Sequence, residues 1–399
     1  MRRFLFYIIL LYYNIEYCFL RLLPYKKENT ILIFRIDNIG DFILWLDSAK
    51  EYRKHYNEKI ILVCNQTSYE IAKQLPYFDK VYPINEKKLS FNPIYRLKFF
   101  VKFSKTKFKK IINPIYSREY FLQDITMRNL KAEEKIGSCG DYFNTISKLK
   151  AFKFIDKKKE QIKNTLKIKG DKFYSLLVPA QEGIVMELNR NAEFIRGVFD
   201  KNFHSSLPTL PFEIKQYKDL KEKEYVVLFV GASTKRKVWN REKYAKTIDS
   251  IKDKIVVCGG KNEKEIFNDI IKYIKTNNNI VDLVGRTTMM ELFSVIKNAK
   301  YIITNDTSAS HIAPLLRTPS ICLLPGVHYG RFQPYQVEQI TENEKKYLPK
   351  IVNHKMDCYN CNTLCQYIND KTSIWPCISN ITVEQVLEKI QEIEQEIKE

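Results

Sequence analysis

Short runs of consecutive apolar residues recur along the chain and predict buried parallel strands. In the first half the runs are Ile31–Phe34, Ile60–Cys64, Lys80–Pro83 and Lys110–Pro114. In the second half they are Val226–Val230, Ile255–Cys258, Ile280–Val284, Tyr301–Thr304 and Ser320–Leu324. Helical patterns separate the runs, and the first predicted helix covers Phe42–His55. Strands that alternate with helices predict an α/β fold with parallel sheets.

The two sets of strands predict two lobes. A chain of 399 residues is longer than one hydrophobic core usually serves. We therefore predict two Rossmann-like lobes that face a cleft, where ligands of such folds bind at the carboxyl ends of the strands. The predicted segments are an apolar helix (1–27), an N-terminal lobe (28–214), a C-terminal lobe with a cysteine cluster (215–382) and a C-terminal helix (383–399).

Composition and missing motifs narrow the function. Lysine and arginine total 66 against 46 acidic residues, and the net charge of +20 favours anionic partners. No dinucleotide-binding or P-loop glycine motif follows a predicted strand, which argues against hydride and phosphoryl transfer. No Asp-x-Asp pair is present, so we expect metal-independent chemistry. No nucleic-acid-binding module accompanies the charge, so no nucleic-acid partner is expected.

The N-terminal segment Phe4–Leu23 is apolar and aromatic but contains Asn14, Glu16 and Arg21. It reads as a helix in a membrane interface, a helix packed on the domain, or a membrane span, and basic residues at both ends favour the interface. No small-residue cleavage site follows, so we expect no removed signal peptide.

Two further stretches are strongly basic. Lys98–Lys110 contains six lysines and four phenylalanines. It is either a surface for a phosphorylated glycolipid or a helix with a phenylalanine core stripe and a lysine face. Residues 150–172 predict a solvated helix.

A candidate anion site lies in Tyr301–Ala313, where an apolar strand runs into small polar residues and then a helix. Free backbone N–H groups at the helix start, together with the hydroxyls of Thr307, Ser308 and Ser310, predict an anion-binding turn. The simpler alternative is that Asp306 or Thr307 only caps the helix.

Two other loops predict complementary chemistry. Gly231–Lys237 follows the first strand of the second lobe and carries three cations, although a solvated basic turn is the alternative. In the first lobe, Gly40 permits a tight turn after a strand, and Asp41 follows at or near a helix start. Such a carboxylate can accept a proton in catalysis or can cap the helix.

Four motifs, taken together and in order, resemble glycosyltransferase family 9, the heptosyltransferase family. They are Arg35-x-Asp37-x-x-Gly40-Asp41; Gly231-Ala232-Ser233 with Lys237-x-Trp239; Asn305-Asp306-Thr307-x-x-x-His311-x-Ala313 before Thr318-Pro319; and Gly326-Val327-His328-Tyr329-Gly330-Arg331-Phe332-x-Pro334-Tyr335. The resemblance covers most of residues 28–390.

The resemblance implies a GT-B fold, with the acceptor bound by the N-terminal lobe and the donor by the C-terminal lobe. It implies inverting transfer of heptose or a related sugar from a nucleotide diphosphate sugar, such as ADP-heptose, to a lipopolysaccharide or lipooligosaccharide core acceptor. No other cofactor is expected. The protein would be cytoplasmic, on the inner face of the cytoplasmic membrane.

The same resemblance assigns roles to residues. Asp41 matches the general base, Lys237 a donor-phosphate lysine, and Glu263 the carboxylate that holds the nucleotide ribose. The remaining donor-site candidates are Ser233, Lys235, Asp306, Thr307, Ser308 and His311. The candidates on the acceptor side of the cleft are Arg35, Asp37, Gly40 and Arg331. Ser308 stands where the family commonly has glycine.

The cysteines Cys358, Cys361, Cys365 and Cys377 lie close together in the sequence. The first pair has the spacing of a structural zinc site, and disulfide chemistry and packed thiols are the alternatives. The other five cysteines are scattered and read as buried free thiols. His311 is expected to be a hydrogen-bonded packing residue rather than a metal ligand.

Two other functions remain open from the sequence. One is a non-catalytic protein of the same fold that binds sugar nucleotides or anionic lipids. The other is a sugar-nucleotide epimerase or hydrolase with the same two-lobed architecture.

Overall fold

The computed structural model describes residues 2–146, 159–218, 220–276, 279–368, 370 and 373–398. The chain forms two compact units. The first comprises Met1–Asn38, Ser48–Glu182 and Arg190–Phe203, and the second comprises Ile39–Asp47, Gly183–Asn189 and His204–Glu399. Residues 39–47 and 183–189 therefore belong to the second unit, whereas the predicted N-terminal lobe (28–214) included both segments.

The first unit contains a six-stranded parallel sheet. Its strands are β1 (Lys26–Arg35), β2 (Lys59–Asn65), β3 (Lys80–Ile84), β4 (Thr106–Asn113), β5 (Lys131–Ser138) and β6 (Leu176–Val178). Their spatial order is β3-β2-β1-β4-β5-β6. Residues 30–35 of the central strand β1 are buried, as expected for a parallel strand covered on both faces.

Helices connect these strands. They are α1 (Arg2–Leu22), α2 (Ile39–His55), α3 (Tyr69–Ala72), α4 (Glu86–Phe91), α5 (Pro93–Ser104), α6 (Ile125–Asn129), α7 (Lys159–Asp171) and α8 (Glu187–Val198), with a π-helical turn at Tyr120–Asp124. The predicted basic helix at residues 150–172 corresponds to α7, and residues 150–158 lie outside the described part of the chain. None of the helices in that part is long and apolar enough to cross a membrane.

The phenylalanines of the basic stretch Lys98–Lys110 belong to the core of the first unit. Phe99, Phe100, Phe103 and Phe108 are buried among the apolar residues of the sheet. The core role of the phenylalanines is therefore confirmed, but one helix over the whole stretch is wrong, because α5 ends at Ser104 and β4 begins at Thr106.

The second unit repeats this architecture. Its strands are β7 (Tyr225–Phe229), β8 (Lys254–Cys258), β9 (Ile280–Asp282), β10 (Ile302–Asn305), β11 (Ser320–Leu323) and β12 (Lys350–Val352). Their order is β12-β11-β10-β7-β8-β9. Numbered within each unit, both sheets have the order 3-2-1-4-5-6 of the Rossmann fold.

The helices of the second unit are α9 (Arg241–Ser250), α10 (Lys264–Ile271), α11 (Met289–Lys297), α12 (Ala309–Leu315), α13 (Glu342–Lys345), α14 (Pro376–Ser379) and α15 (Val383–Lys398). In the sequence, Thr288 followed three residues later by Glu291 predicts a capping box at the start of α11, and the structure confirms it. Thr288 Oγ1 accepts the N–H of Glu291 at 3.3 Å, and Glu291 Oε2 accepts the N–H of Thr288 at 2.7 Å. This reciprocal capping box satisfies two backbone donors that the helix would leave unpaired.

Among the described residues, three strands have no counterpart among the predicted strands, and each is short or polar. β5 has the sequence KAEEKIGS, with an exposed charged centre. β6 and β12 have three residues each. Periodicity carries little information over so few residues, and pairing with a neighbouring strand decides these elements.

Candidate functional site

The point where strand order reverses in the second sheet lies between β7 and β10, which are direct neighbours. Ligands of such sheets bind outside the carboxyl ends of the strands at this point. The loop Gly231–Lys237 follows β7, and Asp306 follows β10. Two loops that lie about 70 residues apart in the sequence are therefore adjacent at one end of one sheet.

Asn305, the last residue of β10, ties the two strand ends together. Its Nδ2 donates to the backbone carbonyls of Val230 at 3.3 Å and Gly231 at 3.0 Å. The hydroxyl of the buried Tyr244 donates to Asn305 Oδ1 at 2.9 Å. Asn305 was only part of a quoted motif in the sequence, and Tyr244 gave no signal there because its helix lies far away along the chain.

A buried ion pair crosses this end of the sheet. Lys237 Nζ lies 2.8 Å from Asp306 Oδ2, and the two side chains are 10% and 7% exposed. Burial alone would raise the pKa of Asp306, but the Lys237 ammonium outweighs it and holds that pKa below its usual range. Asp306 is thus ionised, and it fixes a positive charge at the strand ends.

The other two cations of the Gly231–Lys237 loop have different surroundings. Lys235 is exposed and pairs with Glu265 at 3.0 Å. The Arg236 guanidinium lies 5.2 Å from the ring centre of Trp375. Of the three cations that this loop carries, only Lys237 is buried. Ser233 is exposed in the same loop.

The carboxylate of Glu263 packs against glycines that follow β7 and β8. A Cβ atom built on Gly231 would lie 2.9 Å from Glu263 Cδ, and one on Gly260 would lie 2.6 Å from Glu263 Oε2. Only glycine leaves room for this carboxylate. An acidic residue after the second strand of a Rossmann unit is suitably placed to bind a ribose.

The turn before α12 differs from the predicted anion site. The Thr307 hydroxyl accepts the N–H of Ala309 at 3.2 Å, and the Ser310 hydroxyl donates to the Thr307 carbonyl at 2.7 Å. The hydroxyls of Thr307 and Ser310 are therefore engaged within the turn. Ser308 has φ −56° and ψ −30°, so its helical backbone accepts a Cβ atom without strain.

His311 is a buried neutral group in this turn. Its Nδ1 lies 3.0 Å from the Tyr335 hydroxyl. Burial lowers the pKa of His311 to about 4, although Asp306 acts in the opposite direction. The structure thus gives His311 a hydrogen-bonded packing environment. Tyr335, its partner, lies in the last quoted motif but was not singled out from the sequence.

Asp41 occupies the third position of α2. The N-cap is Asn38, so the alternative reading, in which Asp41 caps the helix, is wrong. Asp41 is half-buried in the first helical turn, where the helix dipole favours the ionised carboxylate.

The start of α2 lies close to the turn before α12. A Cβ atom on Gly40 would lie 3.2 Å from the His311 ring and 3.8 Å from Ser308 Cα. Gly40 and Asp41 belong to the same compact unit as Lys237 and Asp306.

The remaining acceptor-side candidates are held by other residues. Arg35 is fully buried at the end of β1 and forms a two-pronged pair with Asp37, at 2.8 Å and 3.1 Å. Its Nη1 also donates to Asn191 at 2.9 Å. In the second unit, Arg331 lies 3.7 Å from the buried Glu187. The Arg35 contacts hold the C-terminal end of β1, and the Arg331 contact holds the first residue of α8.

The cysteine cluster is a set of packed thiols. All nine cysteines are free, and Cys18 is exposed, contrary to prediction. Cys377 is buried in the core of the second unit with Cys361 and Cys365 packed against it. Burial, together with the neighbouring thiols, raises the pKa of Cys377 to about 11. Among the described residues, no three His, Cys, Asp or Glu side chains are arranged to hold a metal ion.

Comparisons with known proteins agree with this architecture. Residues 175–360 match the model of glycosyltransferase family 9 (heptosyltransferase). Lipooligosaccharide heptosyltransferase 2 of Campylobacter jejuni subsp. jejuni serotype O:6 is 24% identical over 209 residues, which cover 50% of this chain and 62% of that protein. The match thus spans about three fifths of the length of this curated relative.

Solved structures extend the likeness to nearly the whole chain. A family 9 glycosyl transferase from Veillonella parvula has a TM-score of 0.67 at 15% identity, covering 94% of this chain and 98% of that one. An Escherichia coli heptosyltransferase solved with ADP-2-deoxy-2-fluoro heptose has a TM-score of 0.58 at 15% identity, covering 91% and 99%. At this level of identity the likeness establishes the fold, two parallel α/β lobes of the GT-B kind. Over residues 175–360 the chain is thus similar to glycosyltransferase family 9 (heptosyltransferase), and nearly all of it shares the fold of a solved family 9 structure.

Proposed function

We propose that the chain is a glycosyltransferase that moves heptose or a related sugar from a nucleotide diphosphate sugar to a core-type lipopolysaccharide or lipooligosaccharide acceptor. The observation that carries the proposal is the buried Lys237–Asp306 pair at the strand-order reversal of the second sheet. This pair lies within the segment that matches the family model.

The donor binds at the carboxyl ends of β7, β8 and β10. The Glu263 carboxylate accepts hydrogen bonds from the ribose hydroxyls, and the glycines at positions 231 and 260 leave room for close approach. The Lys237 ammonium faces the diphosphate, with Asp306 holding it in place. A solved relative contains an ADP-linked heptose analogue, which supports an ADP-heptose-like donor.

Asp41 is the general base in this proposal. It accepts the proton of the acceptor hydroxyl while that oxygen attacks the anomeric carbon and the bond from this carbon to the diphosphate breaks. The configuration at the anomeric carbon inverts in this single step. The diphosphate leaves with the electron pair of the broken bond, and the fixed charge of Lys237 stabilises it without a metal ion.

Replacement of Asp41 by Asn tests the proposal. We expect Asp41→Asn to lower turnover about 10²–10⁴-fold, the usual contribution of a general base, with donor affinity and melting temperature near those of the wild type. Asp269→Asn, which removes a carboxylate on the surface of α10, is the matched control and should keep full activity. Wild-type turnover in the Asp41 variant would exclude Asp41 as the base.

Product analysis separates this function from the two alternatives. A transferase leaves the donor largely intact without acceptor and consumes it when extracted core glycolipid is added. A sugar-nucleotide epimerase or hydrolase converts the donor without any acceptor. A non-catalytic protein binds the donor but transfers nothing to any extracted acceptor.

The proposal does not include the structural zinc ion that the spacing of the cysteines allowed. Four thiols are suitable ligands for zinc, but no three of the candidate ligand side chains in the described ranges are arranged to hold a metal ion, so no step depends on one. We expect the purified chain to contain no stoichiometric metal. One zinc ion per chain, lost in a Cys358→Ser and Cys361→Ser variant, would show that the thiols rearrange to bind it.

We also propose that the protein is cytoplasmic and works on the inner face of the cytoplasmic membrane. A glycolipid acceptor lies in a membrane, whereas nucleotide sugars are soluble. A peripheral protein on the cytoplasmic face would meet both substrates.

A further inference from the structure

One face of α1 carries a stripe of exposed apolar side chains. Ile8, Leu11, Ile15, Phe19 and Leu22 are 44%, 59%, 60%, 44% and 84% exposed. Their spacing of three or four residues places them along one side of the helix. We call these five residues the outer face of α1. Single exposed apolar residues are ordinary on proteins, but an aligned stripe marks an interaction site.

The opposite face of α1 is fixed to the first unit by a buried ion pair. Glu16 Oε2 and Oε1 accept hydrogen bonds from Arg96 Nε at 2.7 Å and Nη2 at 2.8 Å. Asn129 Nδ2 also donates to Glu16 Oε1, at 2.6 Å. The Arg96 guanidinium stacks over the ring of the buried Tyr13 at 4.4 Å.

This attachment has a consequence for the outer face. Breaking a buried charge pair is unfavourable because it leaves a charge without its partner. The helix therefore cannot readily turn to bury its apolar stripe, and the stripe stays presented on the surface.

Two other helices of the first unit also carry exposed apolar side chains. The helix α5 contains Arg96 and packs directly against α1. On α5, Ile94 is 68% and Leu97 is 40% exposed, and at the end of α4 Phe91 is 67% exposed. Exposed apolar residues thus occur on two packed helices of the first unit and on the short helix before them.

Positive charge accompanies these apolar residues. Arg21, Lys26 and Lys27 are exposed at the end of α1 and the start of β1. Lys98 and Lys102 are exposed on α5. Lysine and arginine beside an apolar helix face are attracted to anionic lipid headgroups. A second copy of this chain would instead place these charges opposite one another.

We propose that the outer face of α1, with Phe91, Ile94 and Leu97, docks the chain on an anionic membrane surface, with α1 lying in the plane of the interface. This inference deepens the proposed function, because it names the surface that would bring the enzyme to a glycolipid acceptor. It requires no sugar transfer, so lipid binding and activity can fail independently.

Flotation of the full-length chain with vesicles tests the proposal. We expect binding to phosphatidylcholine vesicles containing about 30% phosphatidylglycerol, and at least tenfold weaker binding to pure phosphatidylcholine or in high salt. The variant Leu11→Ser, Ile15→Ser, Phe19→Ser should lose at least tenfold of this binding. The matched control is Ile271→Ser with Tyr273→Ser, which changes exposed apolar residues of the second unit and should bind as the wild type does.

A second variant covers the case in which the triple variant misfolds. Leu22 is 84% exposed, so Leu22→Asp should leave the melting temperature unchanged and still weaken binding to the anionic vesicles. Equal binding of Leu22→Asp and wild type would overturn the proposal. So would a wild-type dimer in analytical ultracentrifugation that ignores the vesicles and dissociates with Leu22→Asp, since a second copy would then occupy the outer face.

Discussion

Lys237 and Asp306 form an ion pair whose side chains are almost completely buried. Removing one member of such a pair leaves a charge without its partner and typically costs about 3–5 kcal/mol of unfolding free energy. Both residues also belong to the proposed donor site. A change at either residue should therefore affect both the free energy of unfolding and donor binding. A single and a double variant together separate the two effects.

We predict that Lys237→Met lowers the free energy of unfolding by about 3–5 kcal/mol and abolishes ADP binding. Adding Asp306→Asn removes the unpaired carboxylate, so the double variant should recover much of the stability but none of the ADP binding. Urea unfolding and calorimetric titration with ADP measure the two effects. Recovered ADP binding in the double variant would show that Lys237 has only a structural role.

The buried His311 predicts a dependence of stability on pH. Its folded-state pKa is lowered to about 4, whereas an unfolded histidine titrates near 6.5. Between these two pH values His311 is protonated in the unfolded chain but neutral in the folded chain. The contribution of His311 to the free energy of unfolding is therefore complete above pH 6.5 and decreases as the pH falls toward 4. The total change is on the order of 3 kcal/mol.

Urea unfolding at a series of pH values between 6.5 and 4.5 checks this prediction. His311→Gln should flatten the pH dependence. His204→Gln is the control, because the His204 side chain is 52% exposed, and it should leave the dependence unchanged. A slope that survives in His311→Gln would assign the titration to other groups.

Among the helices and strands, the ends of β7 and β8 show how backbone geometry makes room for a charged group. A Cβ atom added to Gly231 or to Gly260 would lie less than 3 Å from the Glu263 side chain. A larger residue at either position must displace the carboxylate that we propose binds the ribose.

We predict that Gly231→Ala and Glu263→Ala each weaken ADP binding about tenfold or more, and that the double variant is no weaker than Glu263→Ala alone. The two changes act on one carboxylate, so their effects should not add. Calorimetric titration of the three variants with ADP measures this. Additive losses would mean that Gly231 acts on the nucleotide independently of Glu263.

The strand β5 is an element that its hydrophobic pattern does not predict. The central residues of β5 are charged and exposed, so only pairing with β4 and β6 makes the segment a strand. By contrast, the start of α11 was predicted correctly from Thr288 and Glu291, because a capping box is complete within four residues.

At the scale of the whole molecule, the proposed donor site, with Lys237, Glu263 and Asp306, lies within the second unit. A ligand that binds only the folded chain stabilises it by mass action, by about 2.7 kcal/mol at a concentration of 100 times its dissociation constant. Melting temperature is therefore a direct test of donor class.

We predict that ADP and ADP-linked sugars raise the melting temperature by several degrees at saturating concentration, and that AMP raises it less. The Lys237 ammonium is proposed to bind the diphosphate, and AMP lacks the second phosphate, so AMP should bind more weakly than ADP. A panel of nucleotides and nucleotide sugars in a thermal-shift assay provides the measurement, with Lys237→Met as the control that should lose the difference. Equal shifts from AMP and ADP would contradict a diphosphate site at Lys237.

The α/β class, nine of the twelve strands in the described part of the chain, the α11 cap and the resemblance to family 9 follow from the sequence, because these features depend on local periodicity and short motifs. The folded chain was needed to see that Lys237, of three adjacent cations, is buried beside Asp306, and that the Thr307 hydroxyl accepts a hydrogen bond within its own turn. It also showed that α1 is anchored through Glu16 while its outer face stays exposed. Burial and pairing depend on residues far apart in the chain, and no local pattern specifies which of them meet.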